Sequence, residues 1–198
     1  MDNTVGRLNH KQKSLVIGSL LGDGYMRIIE GRADAFLEIN HSAKAKKYVD
    51  WKYNILKNLC ASAPKERVSG VDRTAYRFFT KQSPEFTAVY KIFYKNKKKI
   101  IPKTLQLDPV ILAIWYMDDG SKTINKDNSN NVNIYLNTQQ FSMNDQKFLL
   151  HLLREVGINA RLNKDKQYYR VRILKESVDK FMKIINPEME DSMRYKMI

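Results

Sequence analysis

At 198 residues, with 43% hydrophobic and 11% aromatic content, the chain can bury a core as one large domain or two small ones, which excludes a disordered tail. Lys and Arg number 35 against 21 Asp and Glu, a net charge of +14, so a polyanion is the expected partner, nucleic acid first and an anionic membrane second. No apolar run approaches the roughly 20 residues that span a bilayer, the opening MDNTVGRLNHKQK lacks a signal-peptide core, and the single cysteine, Cys60, excludes an internal disulfide and a cysteine-based zinc site.

Asn9 is suited to cap a helix from His10 to Gly22, with Val16, Ile17, Leu20 and Leu21 apolar and Gly18 and Gly22 leaving a bare strip for a neighbouring helix. That helix ends in VIGSLLGDG, Val16 to Gly24. Two strand-like runs follow, Tyr25 to Ile29 and Ala35 to His41, around a turn at Gly31. Ser42 then caps an amphipathic helix from Lys44 to Ala61 carrying Tyr48, Val49, Ile55, Leu56 and Leu59, with Cys60 packed among them. A strand pair, Glu66 to Ser69 and Tyr76 to Lys81, turns at Gly70, and Pro84 opens a helix from Glu85 to Tyr94.

A basic linker, KNKKKIIPKTLQL, leads to Asp108 and Pro109, which start a second helix ending in LAIWYMDDG, Leu112 to Gly120. Strands are expected at Lys122 to Ile124 and Val132 to Thr138 around the turn KDNSNN. Ser142 caps a helix from Met143 to Val156 that Gly157 stops. Two alternating strands, Ile158 to Asn163 and Gln167 to Leu174, precede a last helix from Glu176 to Ile185. The order αββαββα therefore occurs twice, an α+β fold of two pseudo-symmetric repeats, 1–95 and 108–198, joined by the linker 96–107. Trp51, Tyr53, Phe78, Phe93 and Trp115 are expected in the core.

Both motif helices end in Asp-Gly. The last carbonyls of a helix already make that end negative, so a carboxylate there demands a positive partner. One Asp-Gly is usually a stop signal; two, at Asp23 and Asp119, describe a site for a hard divalent cation if the helices pack side by side. Lys99 lies 76 residues after Asp23 and Lys196 lies 77 after Asp119. Solvated charge is the default for Lys97-Lys98-Lys99, and the matched Lys196 singles out Lys99. His10, His41 and His151 fall on different expected elements, which argues against a histidine metal site.

Strand alternation separates two faces in the second repeat. Tyr169, Val171 and Ile173 oppose Tyr168, Arg170 and Arg172, while Ile158, Ala160 and Leu162 oppose Asn159, Arg161 and Asn163. Arg and Asn suit guanine and adenine edges in a major groove that admits a β-ribbon. Arg27, Glu38, Asn40, Arg77 and Lys81 are the counterparts in the first repeat, less cleanly patterned because Phe79 shares the parity of Arg77.

The two nine-residue motifs, with WYMDDGSK, LNTQQF, KKIIP and MRYK around them, resemble LAGLIDADG homing endonucleases of the monomeric, two-motif kind, over essentially the whole chain. Ile114 and Asp118 replace in the second motif the glycines of the first, a departure from a symmetric helix pair. The resemblance implies a saddle of antiparallel sheets over a two-helix interface and a site-specific double-strand DNA endonuclease, cutting across the minor groove to leave short 3′ overhangs. It implies Asp23 and Asp119 as metal-binding carboxylates, the carbonyls of Gly22 and Asp118 as further ligands, Lys99 and Lys196 beside the scissile phosphates, and Gln139 as a solvent-positioning residue. The Asp118 side chain is read as a cap, a salt-bridge partner or an outer-shell group. Oxygen ligation suits Mg²⁺, with Mn²⁺ substituting and Ca²⁺ binding without supporting cleavage. The implied partner is double-stranded DNA with a long, partly asymmetric target, engaged by a monomer without a membrane. The compartment would be intracellular and contain DNA: mitochondrion, chloroplast or prokaryotic cytoplasm. The alternatives are an RNA-binding maturase that takes intron RNA on the same scaffold, and a non-catalytic DNA-binding regulator.

Overall fold

Asn9 fixes the start of helix α1 (His10–Leu21) by a reciprocal exchange: its side chain accepts from the Gln12 backbone N–H at 2.9 Å and its own N–H donates to the Gln12 side chain at 3.2 Å. The computed structural model describes residues 8–68, 74–125 and 128–198. From α1 the chain forms β1 (Tyr25–Ile28), β2 (Ala35–Ser42), α2 (Lys46–Leu56), β3 (Lys65–Val68), β4 (Thr74–Phe79) and α3 (Pro84–Phe93). A small hairpin, β5 (Tyr94–Lys95) and β6 (Lys98–Lys99), comes next. The second unit is α4 (Pro109–Asp119), β7 (Gly120–Asn125), β8 (Asn128–Leu136), α5 (Met143–Glu155), β9 (Ala160–Asp165), β10 (Tyr168–Ile173) and α6 (Lys175–Ile185). Each unit builds one four-stranded antiparallel sheet in the same spatial order, β1-β2-β4-β3 and β7-β8-β10-β9.

Four details depart from the sequence expectation. The helix expected over Lys44–Ala61 is divided into a 3-10 turn at Ala43–Ala45, α2, and a 3-10 turn at Lys57–Leu59, because Cys60 leaves the helix to bridge Thr80. The linker is not plain: its start is the β5–β6 hairpin, closed by Asn96 and Lys97 at φ 50° and 63°, the left-handed pair that matches strand twist in two-residue turns. The asparagine-rich turn is shorter than KDNSNN, since β8 begins at Asn128 and pairs it with Asn125. The tail folds into 3-10 turns at Asn186–Glu188 and Asp191–Lys196. Gly70 lies outside the described residues.

The core runs through both units across α1 and α4, with Leu15, Val16, Leu20, Ile114, Trp115 and Phe78 essentially inaccessible. Phe93 is buried as expected, whereas Trp51 and Tyr53 are half-buried at its margin. The sequence asymmetry of the motif helices is a shape match. A Cβ added at Gly18 would lie 2.8 Å from Ile114 Cβ and 3.0 Å from the Ile111 carbonyl oxygen, and one at Gly22 would collide with the Asp118 side chain. The bare strip of α1 receives the bulk of α4. Among the described residues no helix is long and apolar enough to cross a membrane.

Gly18→Ala is expected to destabilise the fold by about 1–3 kcal/mol through overpacking against a backbone wall, despite the ~1 kcal/mol helix-propensity gain of alanine. Urea denaturation of Gly18→Ala checks this. A Gly18→Ala protein as stable as the parent would contradict the packing.

Candidate active site

The parallel ends of α1 and α4 meet at a cleft of about 380 Å³ lined by Asp23, Lys99, Asp119, Asn137, Gln139 and Gln140 with the backbone of Gly22 to Tyr25. At the α1 end, Gly22 and Gly24 donate back to Ser19 and, from Gly22, to Gly18, leaving the intervening Asp23 side chain 46% exposed. At the α4 end the Asp119 carbonyl accepts from the Asn137 N–H at 3.0 Å, tying the helix end to the residue after β8.

Each helix end receives a lysine. Lys99 Nζ donates to the Gly22 carbonyl at 2.9 Å, and Lys196 Nζ to the carbonyls of Met117 at 2.6 Å and of Tyr116 and Asp118 at 3.3 Å. The β5–β6 turn delivers Lys99, and the 3-10 turn around buried Met193 delivers Lys196, whose own carbonyl accepts from Tyr116 Oη at 2.8 Å. An ammonium at a helix C-terminus is favourable. The carbonyls of Gly22 and Asp118, expected as metal ligands, thus already accept from lysines, and that of Gly22 from Gln140 at 3.4 Å as well.

Burial, reinforced by the negative charges of Asp23 and Asp118, pushes the Asp119 carboxyl up to about 7. Burial also pulls the Lys99 ammonium down to about 8 and lowers that of Lys196, against the opposing pull of the carboxylates. The site therefore holds titrating groups near neutral pH and would gain from a divalent cation that restores charge to Asp119. Carboxylate and carbonyl oxygens are the donors such a hard ion takes.

Gln140 was not singled out by the sequence. Its Nε2 lies 3.3 Å from Asp119 Oδ2 and 3.4 Å from the Leu21 and Gly22 carbonyls, and its Oε1 accepts from Lys99 at 3.4 Å, so it spans both halves. Gln139 lines the cleft but donates to Asp165 at 2.9 Å. The tandem glutamines in LNTQQF are the only local signal, and it does not say which one turns inward.

Asp118 takes the salt-bridge role. Its side chain and that of Lys52 are both 0% exposed, with Lys52 Nζ 2.7 and 2.9 Å from the two carboxylate oxygens and Tyr48 Oη donating at 2.7 Å. Tyr48, Lys52 and Leu56 are spaced four apart, so a lysine on the apolar stripe of α2 was the legible sign of this pair. His41 approaches the same acids, Nδ1 3.5 Å from Asp23 and Nε2 3.8 Å from Asp118. The separation of the three histidines on different elements therefore did not keep one from the acidic site: Asp23, His41 and Asp118 each offer a possible ligand atom within 4.8 Å of the others.

The sheet faces carry most of the expected contact residues. On the first, Glu38 lies between Arg27 at 3.8 Å and Arg77 at 3.6 Å, and the two guanidiniums cover Phe36 and Phe79, whose rings meet edge-on. This explains the parity shared by Phe79 and Arg77. Asn40 pairs with Arg77 on that face, whereas Lys81 lies beyond β4 in a recess with Asn58 and Leu59. On the second, Arg170 sits 3.9 Å over Tyr135, Arg172 donates to Asn133, and the pairs Arg172–Arg161, Arg170–Asn163 and Tyr168–Asp165 share the face. Asn159 precedes β9, its backbone bonded to Leu174 and the Ser177 hydroxyl. Two arginines directly opposite are unfavourable without an anion.

The sequence profile of the LAGLIDADG DNA endonuclease family matches residues 13–181. The chain is 31% identical over 208 residues to the DNA endonuclease I-ChuI of Chlamydomonas applanata, covering 96% of this chain and 95% of that protein. It is 30% identical over 216 residues to the cytochrome b mRNA maturase bI2 of Saccharomyces cerevisiae, covering all of this chain and 49% of the maturase, so it spans about half the length of that relative. The homing endonuclease I-WcaI bound to its DNA recognition sequence superposes with a TM-score of 0.88 at 25% identity, over 98% of this chain and 88% of that one.

Lys52→Met leaves Asp118 buried and unpaired, with an expected cost of about 3–5 kcal/mol; adding Asp118→Asn should recover much of it, by urea denaturation. The raised pKa of Asp119 also sets a pH dependence in metal-free protein. Because the folded carboxyl holds its proton more tightly than an unfolded one near 3.9, its contribution is full below pH ~4 and is lost as pH rises through about 7. Asp119→Asn should flatten that limb of a stability–pH profile.

Proposed function

The chain belongs to the LAGLIDADG DNA endonuclease family, and on that premise we propose that it is a monomeric, Mg²⁺-dependent, site-specific double-strand endonuclease of the intron-homing type. The observation that carries this reading is the pair of carboxylates at adjoining helix ends, each with a lysine on the carbonyls of its own helix, between two arginine-bearing sheet faces. Asp23 and Asp119 would hold the metal, with Mn²⁺ able to substitute and Ca²⁺ binding without turnover. When bound, a divalent cation supplies charge neutralisation at the phosphate and a more acidic water. Lys99 and Lys196 would face the charge that develops as the phosphodiester breaks. Gln140, and more distantly Gln139, would order solvent around Asp119.

The sheet faces would straddle a long, partly asymmetric duplex, with Arg27, Asn40, Arg77, Arg161, Asn163, Tyr168, Arg170 and Arg172 as contact residues and Glu38 setting the two arginines beside it. Lys81 and Asn159 would touch DNA only at its margins. Cleavage across the minor groove would leave short 3′ overhangs, with the protein in a mitochondrion, chloroplast or prokaryotic cytoplasm. A second reading, an intron maturase on the same scaffold, is favoured by the likeness to the yeast maturase.

Duplex DNA spanning an intron insertion site, incubated with and without Mg²⁺, separates the two: cleavage supports the nuclease, and Mg²⁺-independent intron RNA binding without cleavage supports the maturase. Asp23→Asn or Asp119→Asn should abolish double-strand cleavage while sparing binding, and full cleavage by either would sink the two-carboxylate assignment. Lys99→Ala and Lys196→Ala should slow cleavage about 100-fold with far smaller effects in gel-shift binding; equal losses would reduce them to DNA anchors. Affinity should fall steeply with added salt.

A further inference from the structure

His41 has no part in the chemistry assigned so far, yet it is nine-tenths buried against the site. It lies near the end of β2 with its ring edge-on to Tyr48 at 5.5 Å, and its Nε2 is buried without a hydrogen bond. The ring stands between two carboxylates that differ in what they need. Asp118 is already served by the Tyr48 hydroxyl and by Lys52 at both oxygens. The Asp23 carboxylate forms no other hydrogen bond or ion pair among the described residues than the 3.5 Å approach of His41 Nδ1. Both His41 distances exceed an ordinary hydrogen bond, so a small rotation of the Asp23 side chain, the freer of the two partners, would close the contact. The trio is a poor ligand set for a cation of its own, because the Lys52 ammonium already occupies Asp118.

The equivalent position in the second half is differently occupied, and Asp119 is approached there by Gln140 Nε2 at 3.3 Å. Tyr25, after Gly24, pairs with Glu38, and Ser121, after Gly120, pairs with Tyr135. Three residues beyond Glu38 is His41; three beyond Tyr135 is Thr138, whose buried hydroxyl donates to Gln146 at 2.9 Å rather than to an aspartate.

We propose that His41 is a positioning residue for Asp23: braced by the buried Tyr48–Lys52–Asp118 cluster, its imidazole holds the Asp23 carboxylate in the orientation that receives a divalent cation, and this support is confined to one half of the site. The inference rests on the two-carboxylate reading above. It makes metal binding at Asp23, and the cleavage that needs that metal, dependent on His41. Outer-sphere partners of metal ligands are worth about 10–100-fold in affinity.

The test titrates Mn²⁺ into the full chain bound to its cleavage-site duplex, following the free ion by electron paramagnetic resonance, and times cleavage of the duplex. His41→Leu, which fills the space without a donor, should weaken Mn²⁺ binding about 10-fold and slow cleavage at limiting Mn²⁺. His41→Asn, whose amide nitrogen falls at the place of Nδ1, should restore both. Unchanged Mn²⁺ binding by His41→Leu, or a His41→Asn protein no better than His41→Leu at matched thermal stability, overturns the proposal. Asp23→Asn is the control on the premise: if it binds Mn²⁺ as the parent does, the carboxylate assignment fails, and the role of His41 with it.

Discussion

Two helices end side by side with their carbonyls and carboxylates converging, and the placement of much else follows from offsetting that negative charge. Lys99 and Lys196 supply part of the compensation, each bonded to carbonyls of the helix it caps. Lys52 supplies another part, buried against Asp118. A structural lysine at each helix end and an acceptor of metal at the same end are compatible roles, because the lysines take carbonyls and leave the Asp23 and Asp119 carboxylates facing the cleft. Bringing Lys99 to its helix end takes a two-residue turn with two left-handed residues. Bringing Lys196 there takes a tail folded back onto α4.

The two sheets meet a second constraint, that of holding arginines at a surface, in different ways. In the first, Glu38 separates and partly neutralises Arg27 and Arg77, and phenylalanine rings support both. In the second, Arg161, Arg170 and Arg172 have no carboxylate paired to them among the described residues, and Asp165 on the same face accepts from Gln139 instead.

Repeat order, the terminal aspartates and the matched lysines were legible because each leaves a local signature: a change of periodicity, an Asp-Gly end, an equal spacing. The strand faces bearing Arg170 and Arg172 were legible for the same reason. What escaped depends on contacts between distant segments. Gln140 is defined by reaching across to α1, and Lys52 by a partner 66 residues away. His41 was set aside because its separation from other histidines along the chain said nothing of its nearness to acids. Lys81 and Asn159 were drawn into strands by extending an alternation past the point where the backbone leaves the ladder. The glycine strip was read correctly as an approach surface, while its complement on α4 looked like a loss of symmetry.

That complement has a consequence for which halves can associate. Two copies of the second unit would press Ile114 on Ile114 and bring two buried Asp118 carboxylates together. The mixed pairing sets bulk against glycine and keeps one acid for one Lys52. The seam therefore discriminates against a pair of second units as well as holding the two halves together.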